Sequence, residues 1–111
     1  LELSVPARSV RLVSLRPDRG RPQVLTTDRH LTQGGVELKD ERWSGRTLTA
    51  TVRTVGGFPL TLRVAVPAGF AVRKVSAVGA AVASAPEADG RVLAVTLTGD
   101  VSADVPVTVE F

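Results

Sequence analysis

The 111-residue chain contains no cysteine, methionine, tyrosine, isoleucine or asparagine, and its single histidine is His30. The missing cysteines exclude a disulfide framework, a thiolate zinc site and a cysteine nucleophile together. Only four aromatic residues occur, Trp43, Phe58, Phe70 and Phe111. That leaves no row of stacking platforms of the kind single-stranded nucleic acids use. No apolar run approaches the roughly 20 residues of a membrane span, and no 3.6-residue apolar period persists for ten residues. Neither a membrane nor a nucleic-acid partner is therefore expected. The net charge is only +3, from 12 Arg and 2 Lys against 11 acids. Arginine over lysine, beside 13 alanines, fits GC-rich coding as readily as a phosphate-binding surface. The chain starts at Leu1 rather than Met, as expected of a segment of a longer protein.

What is present in quantity is β-forming. Val (19), Leu (12) and Thr (11) make up 42 residues, and β-branched side chains suit a pleated, half-buried surface. Ten Gly and seven Pro punctuate the chain. Alternating runs fall at residues 1–5, 10–15, 24–25 and 36–38, then at 47–53 and 58–66, and finally at 72–78, 81–85, 92–97 and 105–111. Leu48, Ala50 and Val52 alternate with threonines, Gly56-Gly57 follows, and Leu60, Leu62, Val64 and Val66 then alternate with Thr61, Arg63 and Ala65. Such spacing predicts a hairpin through the paired glycines, apolar on one face. The expectation is one all-β domain over residues 1–111, a two-sheet antiparallel β-sandwich of eight or nine strands.

Catalytic constellations are poorly supplied. Asp28 and His30 could be imagined with Ser9 or Ser44 as a triad, but no nucleophile-elbow sequence surrounds any serine. One histidine among Asp and Gln does not make a transition-metal set, since zinc favours several His or Cys ligands. Glu37, Asp40 and Glu41 form the densest acidic run, yet alternation places Glu37, Lys39 and Glu41 together on a solvated strand face. The paired glycines 34–35 and 56–57 lie between strand patterns, not at a helix start where a phosphate loop would need them. No catalytic residue, metal ligand or cofactor is predicted. Trp43 is read either as a rim residue touching sugar or as an apolar plug at an interface, the latter favoured by the size of its indole.

The order of short motifs is more specific. A "PARS" strand opening at Pro6, an "RPQ" entry at Arg21-Pro22-Gln23, the polar run TTDRHLTQGG at 26–35 and a "VGGFP" element at 55–59 follow one another. This succession, covering about half of the chain, resembles the β-sandwich domain that follows the catalytic barrel in melibiase-like, α-galactosidase-related glycoside hydrolases. The resemblance implies a non-catalytic accessory domain that packs on and stabilises a catalytic domain of the same chain, with the reacting carboxylates on the barrel. It assigns Asp28, His30, Thr32 and Gln33 to docking or to ordering the long connection. A carbohydrate-binding module and an immunoglobulin-like interaction domain are the alternatives, and Trp43 separates the first of these from a scaffold. If the 26–35 segment is structural, His30→Ala lowers the stability of the isolated chain by about 1–2 kcal/mol through a lost hydrogen bond. If it is a docking surface, the same change leaves the isolated chain's melting curve unaltered.

Overall fold

The computed structural model describes residues 15–29 and 37–111. The expected strand at 1–5, all of the one at 10–15 except Leu15, residues 30–35 of the polar run, and Val36 lie outside the described residues. Among the described residues eight strands are seen: β1 (Gln23–Thr27), β2 (Leu38–Ser44), β3 (Thr47–Thr54), β4 (Leu60–Ala65), β5 (Lys74–Ala77), β6 (Ala81–Glu87), β7 (Val92–Thr98) and β8 (Ala103–Glu110). They form two four-stranded sheets, β1-β4-β7-β6 and β2-β3-β8-β5, with every neighbouring pair antiparallel. The architecture is the all-β, two-sheet sandwich that the alternating runs call for.

Period-two alternation places one side of each central strand inward. Leu60, Leu62 and Val64 of β4 and Leu93, Val95 and Leu97 of β7 meet Leu48, Ala50 and Val52 of β3 and Val105, Val107 and Val109 of β8, all buried. Fully burying each Val or Leu is worth about 1.5–3 kcal/mol relative to exposure, so these four strands carry most of the fold's apolar stabilisation. The other face of β3 and β4 bears threonine, alanine and arginine, and that of β8 bears Asp104, Pro106, Thr108 and Glu110. Thr61 and Thr96 share a hydroxyl hydrogen bond of 3.0 Å across β4 and β7.

The expected β3–β4 hairpin does not exist. β3 pairs with β2 and β8, whereas β4 pairs with β1 and β7 in the other sheet. Alternation demands only that the apolar faces of consecutive strands become buried. Two strands facing each other across a core satisfy that as well as two strands side by side. The connection is an arch with a single Val55–Phe58 bridge. It is held against the β7–β8 turn by the Gly57 N–H donating to the Gly99 carbonyl at 2.9 Å and the Gly56 N–H donating to Ser102 Oγ at 2.9 Å. Gly56 is required there for space: a Cβ would stand 2.6 Å from the Asp100 carbonyl oxygen, a backbone atom that cannot swing away.

Two substitutions test this register. Leu62→Ala is expected to cost about 2–4 kcal/mol in chemical denaturation, by lost burial plus a cavity, and Thr61→Ala about 1 kcal/mol or less, for one half-exposed hydrogen bond. Equal losses at the two neighbours would contradict the inward assignment of Leu62.

Candidate functional site

The strand directions place the connections at two opposite ends of the sandwich. One end carries the arch at 55–59, the β5–β6 turn at 78–80, the β7–β8 turn at 99–102 and both roots of the polar segment 28–37. The other carries residues 15–22, the β2–β3 turn, residues 66–73 and the β6–β7 turn.

At the first end, the polar segment is anchored at its roots by a buried pair that alternation does not reveal. Thr27, 4% exposed, donates its hydroxyl proton to the Glu37 carboxylate, itself 6% exposed. The same Thr27 oxygen accepts the Arg29 N–H at 3.3 Å, and the Asp28 N–H donates to the Thr61 carbonyl at 3.0 Å. The Arg53 N–H closes the other root by donating to the Glu37 carbonyl at 2.7 Å. A buried carboxylate is costly without such donors.

The solvated face expected for Glu37, Lys39 and Glu41 is thereby corrected. A register shift between Leu38 and Asp40 breaks the alternation. Beyond that shift the half-buried Glu41 stands opposite the buried Ala50 and accepts the Val24 N–H at 3.3 Å, Lys39 stays exposed, and Glu37, just ahead of the strand, is buried against Thr27. Asp40 pairs instead with Arg42 at 3.1 Å, both exposed.

Of the residues assigned to docking or loop ordering, Asp28 is exposed, and its side chain makes no hydrogen bond among the described residues. His30, Thr32 and Gln33 lie outside the described residues. Arg29 is half-buried, and its Nη2 is buried without a hydrogen-bond partner among the described residues.

Beside these roots, three turns pack together. The arch bonds to the β7–β8 turn as described, and a Cβ on Gly99 would lie 3.7 Å from the Gly79 carbonyl oxygen of the β5–β6 turn. Each turn exposes apolar side chains: Val55 and Phe58 on the arch, Val78 and Val101 on the other two, with Phe58 62% exposed. Single exposed apolar residues are ordinary; these four lie on three turns at one end of the sandwich.

The second end is closed by aromatic packing. Trp43 is half-buried, with its ring 5.7 Å from that of Phe70 and 5.8 Å from that of Phe111. Phe70 and Phe111 meet edge-on at 6.1 Å. Arg21 lies 5.8 Å over the indole and Arg46 lies 5.0 Å over Phe70. Arg46 also donates to the carbonyls of Phe111 and Gly69, each at 3.3 Å. The half-buried indole is thus packed against two phenylalanine rings, with one guanidinium over its face. At the same end, the β6–β7 turn holds Ala88 and Asp89 at φ of 51° and 57°, a left-handed conformation costing about 1–2 kcal/mol per residue outside glycine.

Among the described residues, no group of three or more His, Cys, Asp or Glu side chains converges as a metal-ligand set, and no helix is long and apolar enough to cross a membrane. Comparison with protein-family models, curated proteins and solved structures finds no match to this chain.

The anchoring pair is tested by Thr27→Val, which keeps shape while removing the donor to Glu37. A loss of about 1–3 kcal/mol is expected for a buried acceptor left short of a partner. Asp28→Ala, on an exposed side chain, is expected to stay within about 0.5 kcal/mol. Matching urea midpoints for Thr27→Val and the unaltered chain would contradict the pairing.

Proposed function

We propose that this chain is a non-catalytic accessory β-sandwich of a glycoside-hydrolase-like protein, docking on a catalytic domain of the same protein through its first end. The observation that carries the reading is the exposure of Val55, Phe58, Val78 and Val101 on three turns at one end, the arch and the β5–β6 turn each packing on the β7–β8 turn. Exposed phenylalanine and valine on turns contribute little to an isolated sandwich, whereas an apolar centre bordered by polar groups is the usual anatomy of a protein–protein contact. The motif order over residues 6–66 supports the same reading, because it resembles the sandwich that follows the barrel in melibiase-like enzymes. The aromatic packing of Trp43 favours a scaffold over a sugar platform at that residue.

On this reading the isolated chain turns over no aryl α-galactoside. Turnover that disappeared on mutating Asp40 or Glu41 would overturn it. Docking is tested at Phe58. Phe58→Ser is expected to shift the isolated chain's stability by no more than about 0.5 kcal/mol, as surface changes usually do. In the longer protein it is expected to weaken the domain contact by about 2 kcal/mol, the scale of an interface anchor. Identical domain association for the altered and unaltered proteins would refute the assigned face.

A further inference from the structure

At the second end, a cavity of about 540 Å³ opens between the segment leading into β1, residues 65–70 and the β6–β7 turn. Its size falls within the roughly 300–1,000 Å³ of small-molecule sites. The polar residues lining it are Arg16, Asp18, Gln23, Asp89 and Arg91, and part of its apolar wall is Leu25, Val66 and Phe70.

Four of the five polar side chains are fixed by one atom each. Arg16 Nε donates to the Leu25 carbonyl at 2.7 Å, and Arg91 Nε donates to the Ala88 carbonyl at 3.1 Å. Asp18 Oδ1 accepts the Gly20 N–H at 2.8 Å, and Nε2 of the buried Gln23 donates to the Pro17 carbonyl at 2.8 Å. Among the described residues, no hydrogen bond or ion pair engages the Nη nitrogens of Arg16 and Arg91, Asp18 Oδ2, Gln23 Oε1 or the Asp89 carboxylate. Asp89 and Arg91 are set at the rim by the left-handed turn, whose Ala88 carbonyl also accepts the Arg91 N–H at 3.2 Å.

We infer that this cavity is a binding site for a neutral pyranoside. Its lining carries two guanidinium groups and two carboxylates that make no salt bridge with one another, so its formal charge is zero. An anionic ligand drawn by the arginines meets both aspartates, and a cationic one meets both arginines. A sugar hydroxyl donates to a carboxylate while accepting from a guanidinium, so a polyhydroxylated ring satisfies both signs at once. The apolar wall of Leu25, Val66 and Phe70 matches the C–H face of such a ring. This site is separate from the docking face, at the opposite end of the strands, and does not depend on it.

The test is titration of the ¹⁵N-labelled 111-residue chain with methyl α-galactopyranoside, methyl α-glucopyranoside, galacturonate and inorganic phosphate, followed by amide chemical shifts. At least one neutral glycoside is expected to give saturable shifts confined to residues 15–25, 65–70 and 88–91, with a dissociation constant on the order of 1–10 mM, a modest affinity suited to an open site. Galacturonate and phosphate bind more weakly than that glycoside. Arg91→Gln lowers glycoside affinity at least about tenfold, a loss of roughly 1.4 kcal/mol, without moving the melting temperature. Asp18→Asn combined with Asp89→Asn keeps the turn geometry, removes the two negative charges and raises phosphate affinity at least about tenfold. Absence of saturable shifts with either glycoside overturns the inference. So does tighter binding of phosphate or galacturonate by the unaltered chain, or glycoside shifts centred on the first end.

Discussion

The crossing of the chain from one sheet to the other at Gly56 and Gly57 is the constraint on which the rest of the molecule depends. β3 and β4 are consecutive, similarly patterned and apolar on one face, and the arch between them makes those faces partners across the core instead of neighbours in a sheet. Gly56 admits the close approach of the Asp100 carbonyl, and the hydrogen bonds to Gly99 and Ser102 lock the arch onto the β7–β8 turn. With that crossing in place, Leu60, Leu62 and Val64 face Leu48, Ala50 and Val52, and the buried strands β7 and β8 complete the two central pairs. The same arch leaves Val55 and Phe58 exposed at the end of the sandwich where Val78 and Val101 are also exposed, so the element that closes the core also supplies half of that end's exposed apolar side chains.

The central strands were legible because their side chains obey a strict two-residue period. Leu62 and Val95 are inward by count and buried in fact. The pairing partner of β4 was not legible, because side-by-side and face-to-face arrangements bury the same residues and leave the same alternation. Glu41 shows the complementary failure. A one-residue shift between Leu38 and Asp40 sets it opposite the buried Ala50, and a short edge strand carries too few apolar positions for its pattern to signal the shift. The cavity and the apolar first end were invisible for a simpler reason: both are assembled from turns, where periodicity says nothing and residues such as Arg16 and Arg91 or Val55 and Val101 are brought to one end only by the sheets behind them.

The two ends differ in physical character, and this gives the sandwich a direction. At the first, apolar side chains stand outward and a polar connection is rooted in a buried hydroxyl–carboxylate bond. At the second, the large aromatics are turned inward and covered by arginines, leaving a charged but net-neutral hollow beside them. An accessory domain seated by its first end would leave the second facing away from the catalytic domain. The rigid sheets between them would hold the two surfaces about one strand length apart.

The exposure of Phe58 is the quantity on which the docking account turns, and hydroxyl-radical footprinting reads it directly. The buried Phe111, 3% exposed, provides the internal reference within the same chain. The account predicts rapid oxidation of Phe58 in the isolated 111-residue chain and oxidation several-fold slower in the longer protein, with Phe111 slow in both. Equal oxidation of Phe58 in the two proteins would contradict it.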